Sequence, residues 1–181
     1  MNRFLLLFVL LLTFSSCKEL EARKPITKSS GSYTKQSIER NKNLISSEEK
    51  QIKEYIRQDS LNTYFSSNDG FWYTYKDKDS LNSTITPQVG DLAQFTYNLK
   101  TLKGRTLISK KEVGRVITQI DQSNQELISG IRDGLKIMKE GESVIFLFPS
   151  HKGYGYYGLE ERIASNTILA CELTLLNLKR Q

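Results

Sequence analysis

Between Glu126 and Gly158 the apolar positions change their period, and the rest of the chain is organised around that stretch. Leu127, Ile131, Leu135 and Met138 recur at helical spacing and mark one apolar face. Gly141 follows where a helix C-terminus wants a residue that tolerates a left-handed backbone. Val144 to Phe148 is then an unbroken run of β-branched, aliphatic and aromatic residues, which predicts a buried strand. Pro149 ends it, and Tyr154-Gly155 falls in a glycine-rich loop. Helix, strand and loop together predict apolar side chains gathered around one small concave site.

The flanking elements are short. Ser46 with Glu49 has capping-box spacing, and Ile52, Tyr55 and Ile56 continue a helix of about three turns. Asn68-Asp69-Gly70 is a turn signal before the aromatic run Phe71 to Tyr75, which reads as a strand. Leu81 to Thr86 gives no clear pattern, and Pro87 to Asp91 marks entry to a compact domain. Leu92 to Leu99 alternates, with Phe95, Tyr97 and Leu99 on one side. Lys103-Gly104 predicts a turn, Thr106 to Ser109 a brief strand, Val116 to Ile120 a weak one, and Thr167 to Leu178 a long closing strand. Five or six strands with one short helix, in largely antiparallel order, predict an α+β half-barrel whose sheet wraps the helix.

Composition adds an address. Residues 1–17 carry Arg3, a largely apolar run from Phe4 to Phe14 too short to span a bilayer, then Ser15, Ser16 and Cys17. That resembles a bacterial lipoprotein signal with the lipid on the Cys17 sulfur; an ordinary secretory signal with an incidental Cys17 is the alternative. Phe14 stands where the lipoprotein pattern usually has Leu. No second apolar run of spanning length follows, so the expected mature protein hangs from a membrane by its lipid. Residues 18–45 are polar, with Ser29-Ser30-Gly31-Ser32, and read as a flexible tether. A helix-turn-strand preface (46–87) and a compact domain (88–181) complete the division.

Charge and cysteine usage exclude several chemistries. Of the net +6, residues 18–57 carry +4, from ten Lys/Arg against six Asp/Glu, which suits a solvated linker near anionic headgroups. No nucleic-acid motif interleaves basic and aromatic residues, so no nucleic-acid partner is expected. Two cysteines and one histidine, His151, speak against a Cys/His zinc site and a His-based triad. With Cys17 lipidated, Cys171 has no disulfide partner and reads as a small buried hydrophobe. No cofactor and no metal are expected, and an enzyme built on this chain needs chemistry without a conventional nucleophile.

Gly90-Asp91, Tyr97 seven residues before Gly104, Leu127-Ile128-x-Gly130, Asp133-Gly134-Leu135, Met138, Glu140-Gly141-Glu142, Tyr154-Gly155, Gly158 and Ile163 form an ordered set. In order and spacing that set resembles the FKBP-type peptidyl-prolyl isomerases, over about residues 88 to 179. The lipid signal and preface resemble the FKBP-type lipoproteins of Bacteroidetes-like bacteria, a group linked to gliding motility. The resemblance implies an FKBP-like half-barrel with an N-terminal helical arm, and a pocket for proline-containing polypeptides. Tyr97, Leu127, Ile128, Ile131 and Tyr154 would be its catalytic residues. Tyr97 and Leu107 would form a wall, Leu127 and Ile128 the rim with the Ile128 N–H meeting a substrate carbonyl, and Ile131 the floor. Tyr154 would present its hydroxyl at the mouth, Ile163 would cover the loop side, and Cys171 would replace a pocket Phe. Besides Cys171, four departures stand out: Leu107 for Phe, Ile131 for Trp, Ile108 where the pocket Asp is expected, and Ile163-Ala164-Ser165 for Ile-Pro-Pro. They imply a wider or flatter pocket. The implied activity is proline isomerisation in the cell envelope, assisting folding or assembly of envelope proteins. The alternative is a binding module or chaperone of a surface machine that kept the fold and lost the rate enhancement. Read from the residues alone, Leu135 and Met138 are ordinary core, and Tyr156 and Tyr157 are either loop tyrosines or an extended binding surface.

Overall fold

The computed structural model describes residues 31–78, 85–122 and 126–181. The expected leader with Cys17, the expected tether as far as residue 30, and residues 81–84 of the patternless stretch lie outside the described residues. The chain falls into two compact units, Met1–Gln36 and Ser37–Gln181. The second holds the sheet and the site residues.

One seven-stranded sheet forms the body, and every pairing given for it is antiparallel. Its strands are β1 (Phe65–Ser66), β2 (Trp72–Asp77), β3 (Leu92–Thr101), β4 (Thr106–Ile108), β5 (Val116–Gln119), β6 (Ser143–Phe148) and β7 (Leu169–Lys179). They run in the order β1-β2-β6-β7-β3-β4, with β5 on β3. The pairing of β3 with β7 is the longest and sets Leu99 against Cys171 and Tyr97 against Leu173. Among the described residues the helices are α1 (Gly31–Gln58), α2 (Lys110–Val113) and α3 (Ser129–Leu135), followed by a 3-10 turn at Ser150–Lys152. This is the α+β architecture expected, with β1 and α2 added. Ser109 ends β4 and caps α2 by accepting the Glu112 N–H, so one Ser closes a strand and opens a helix.

Pleat alternation explains why the Val144–Phe148 run is apolar throughout. Phe146 and Phe148 point into the main core with Phe71, Phe95, Leu99, Cys171 and Leu173. Leu147, between them, points to the opposite face and joins Ile52, Tyr55, Ile56, Trp72, Ile168 and Ala170 in a second cluster. Both faces of β6 are therefore covered, the inner by α3 and the outer by α1. The preface is part of the same sheet, because β2 pairs with β6 from Trp72 to Asp77.

Two expectations change. The capping-box spacing at Ser46 predicts a helix start there, yet α1 begins at Gly31 and residues 31–45 of the expected tether are helical. No Gly or Pro occurs between Gly31 and Gly70, and Ile38, Ile45 and Ile52 recur every seven residues, so nothing stops the helix upstream of Ser46. The helical face predicted from Leu127 to Met138 is also shorter. Ile128 is the N-cap and α3 ends at Leu135, while Met138 is buried in the turn that follows. Gly141, at φ +88°, serves that turn and donates its N–H to Leu175 rather than capping α3.

Candidate functional site

α3 lies close on the inner face of the sheet because its glycines face phenyl rings. A Cβ at Gly130 would lie 2.7 Å from Phe148, and one at Gly134 3.0 Å from Phe146. That approach fixes Ile128 and Ile131 over the sheet. The loop after β6 is tied to α3 by two bonds. Ser129 donates its hydroxyl to the Lys152 carbonyl at 3.3 Å, and the Lys152 ammonium meets Asp133 at 2.9 Å. Within the loop, Ser150 O accepts the N–H of Gly153 and of Gly155, at 2.9 and 2.8 Å, and so fixes the turn that presents Tyr154. Leu159 and Ile163 exchange backbone hydrogen bonds, and a Cβ at Gly158 would collide with the Ile163 carbonyl oxygen, so only glycine fits. Arg162 then bridges the mouth, donating to Leu107 O at 3.3 Å and pairing with Glu112 at 2.6 Å.

The eight residues expected at the pocket all lie in, or pack against, the main core of the sheet. Leu107, Ile128, Ile131, Ile163 and Cys171 are buried members of it, and Tyr97, Leu127 and Tyr154 pack against it half-buried. Exposure divides them further. Ile131 and Ile163 are 1 % exposed and Cys171 is sealed, whereas Leu107 and Ile128 keep 8 % each. Tyr97, Leu127 and Tyr154 are therefore the more exposed of the eight, and Ile131, Ile163 and Cys171 the most deeply buried.

The electrostatics suit donation. Burial pushes the Tyr97 phenol up to about 12, with Tyr154, Cys171 and Glu112 adding to it. Burial also raises Tyr154, against a smaller opposing pull from Arg162. Both phenols stay protonated at neutral pH, and neither has a hydrogen-bond partner among the described residues. The Ile128 carbonyl accepts from Ile131 and Arg132, while its own N–H has no partner among the described residues. Burial likewise holds the Cys171 thiol well above its usual range, so it is no nucleophile. Among the described residues, no three His, Cys, Asp or Glu side chains gather where they would hold a metal ion.

The ties that hold the loop, namely Lys152 to Asp133, Arg162 to Glu112 and a bond from Glu48 in α1, were not legible in the sequence. Each joins residues far apart in the chain, and a charged residue on a polar surface looks the same before its partner is placed.

An antiparallel half-barrel around a short glycine-faced helix, with two protonated phenols over an apolar cluster, defines a class of protein. The chain belongs to the FKBP-type peptidyl-prolyl cis-trans isomerase family, which it matches over residues 83–176, just over half its length. It is similar to human peptidyl-prolyl cis-trans isomerase FKBP9, 29 % identical over 95 residues, which cover 52 % of this chain but 16 % of that protein. The mouse protein of the same name aligns identically well. Among solved structures it resembles FkpA from Escherichia coli, with a TM-score of 0.59 and 19 % identity over 99 % of this chain and 83 % of that one. A peptidyl-prolyl cis-trans isomerase from Pseudomonas syringae pv. tomato gives a TM-score of 0.58 at 18 % identity, covering 77 % of this chain and 96 % of that one. The structural likenesses bear on the fold, and the curated relatives extend far beyond the matched segment.

Proposed function

We propose that the chain is a peptidyl-prolyl cis–trans isomerase, held at a bacterial envelope membrane by lipid on Cys17 and acting on proline-containing polypeptides. One observation carries the reading: the protonated phenols of Tyr97 and Tyr154 stand together over an apolar cluster that holds Leu107, Ile128, Ile131, Ile163 and Cys171. The chemistry needs no titratable group. An X-Pro bond rotates over a barrier of about 18–20 kcal/mol because its planar amide is resonance-stabilised. The planar form is more polar than the twisted one, so a dry apolar site favours the twisted amide by differential binding. In this reading the Tyr154 hydroxyl and the Ile128 N–H donate to the carbonyls flanking the proline. Exchange NMR on proline peptides tests it. Acceleration by the wild type should fall about 5- to 10-fold in kcat/KM for Tyr154→Phe, the worth of one neutral hydrogen bond of about 1–1.4 kcal/mol. No acceleration over solvent would end the enzymatic reading.

The near-complete burial of Ile131, Ile163 and Cys171 favours a second reading, a binding module with slow or silent turnover. It stands if proline peptides bind without being isomerised. It falls if a point change that abolishes isomerisation, and leaves the fold intact, also abolishes function in cells.

Envelope placement rests on the apolar run Phe4 to Phe14 ahead of Cys17. Among the described residues no helix is long and apolar enough to cross a membrane. Labelled palmitate should enter the wild-type chain and not Cys17→Ser. A role in folding or assembling envelope proteins, including those of gliding motility, follows the lipoprotein resemblance alone. Deletion in a gliding host, scored by spreading and by the abundance of surface proteins, tests it.

A further inference from the structure

α1 lies wholly outside residues 83–176, which match the family, yet it reaches the loop that presents Tyr154. Glu48 is 2 % exposed, and its Oε2 accepts the N–H of Ser150 at 2.9 Å, across 102 positions of sequence. Ser150 is the loop's hub. Its N–H goes to Glu48, and its carbonyl takes the N–H groups of Gly153 and Gly155, the two sides of Tyr154. Gly155 in turn accepts from Asn166 at 2.8 Å, closing the loop onto the segment before β7.

Two features show that this bond does more than glue the helix down. The other oxygen of Glu48, Oε1, is buried without a partner among the described residues. A bare buried acceptor costs about 1–3 kcal/mol, so mere packing of α1 would be better served by an apolar side chain, as at Ile52. Beside the bond, helix and loop do not close-pack: a cleft of about 410 Å³ separates them, lined by Leu44, Ile45, His151 and Tyr156. With no side-chain jigsaw there, this bond and the one from the Asn166 N–H to Gly155 are what hold the outer side of the loop. Its inner side is set by Ser129 and Asp133 of α3.

We propose that Glu48 is a positioning residue for Tyr154, through the backbone of Ser150. The inference rests on the isomerase reading above and names a second part of the same site. The test is a double-mutant cycle on proline-peptide isomerisation, using the full chain and its Glu48→Ala, Glu48→Gln, Tyr154→Phe and Glu48→Ala/Tyr154→Phe variants. Glu48→Ala should lower kcat about 5-fold with KM little changed, and Glu48→Gln, which keeps the acceptor, should stay within about twofold of wild type. In the Tyr154→Phe background Glu48→Ala should cost nothing more, because the hydroxyl it positions is already gone. Additive losses, or a wild-type rate in Glu48→Ala, overturn the proposal. If the alanine variant does not fold, Glu48→Asp carries the same cycle, since it keeps the carboxyl group but falls short of Ser150. A wild type that accelerates nothing sinks the isomerase reading and this inference with it, whereas an active wild type with an additive cycle sinks only the inference.

Discussion

Glu172 shows how a single residue on the outer face of β7 can carry pH-dependent stability. Burial pushes its carboxyl up, but hydrogen bonds from Lys76 and Lys110, at 2.9 and 3.0 Å, outweigh that and hold it down at about 2. Lys76 comes from β2 and Lys110 from α2, so the carboxylate links the element beside β6 to the one beside β4. The folded value lies below the ordinary 4.5, so below that pH the unfolded chain takes up a proton that the fold resists. The contribution is whole above about pH 4.5 and drains away as pH falls toward 2. Glu172→Gln should lose about 1–2 kcal/mol at neutral pH, with a deficit that narrows in acid. Urea denaturation from pH 7 to pH 2.5 measures both. A pH-independent deficit would show that packing, not charge, was lost.

At the scale of elements, stability depends on which face of each element is covered. Ile52 is fully buried between α1 and the outer face of the sheet, beside Leu147 and Ile168. Ile52→Ala should cost about 2–4 kcal/mol by urea denaturation. Trp72, the one tryptophan in the sequence, belongs to that cluster, so its emission should report the transition. On the inner face the limit is space. Gly130→Ala would drive a methyl into the Phe148 ring and should destabilise by about 1–3 kcal/mol despite the better helix propensity of alanine. A neutral or stabilising effect would mean that α3 stands further from β6 than the geometry gives. The alternation that puts Phe146 and Phe148 on one face and Leu147 on the other was readable as a run of apolar residues. That the outer face would be covered by α1 was not, because an unbroken apolar strand says only that both sides are dry.

For the whole molecule, Cys171 is a probe of cooperativity. It is fully buried between its β7 neighbours and the core, and burial raises its thiol far out of the reactive range. In a Cys17→Ser chain, Cys171 should resist thiol reagents under native conditions and be labelled only as fast as the chain opens. Labelling much faster than global unfolding would reveal a local opening of β7 that the long β3–β7 ladder argues against. The same ladder explains how far the site was legible. The family resemblance named Tyr97, Leu127, Ile128 and Tyr154 for the pocket, and in the structure each lies in or against the main core. Ile131 was expected as the floor and Cys171 in place of a pocket Phe, and only packing could show that both are sealed in the core.

The sequence by itself determined the strand periods, the glycine positions where α3 meets the sheet, and the family pattern from Gly90 to Ile163. Those are local signals, set by side-chain period and backbone sterics. Tertiary structure alone decided where α1 begins to matter, that Glu48 reaches Ser150, and that Lys152, Asp133, Arg162 and Glu112 tie the loop across the site. A hydrogen bond or ion pair between distant residues leaves no periodic trace in the chain. It exists only once the sheet has brought its two ends within about 3 Å.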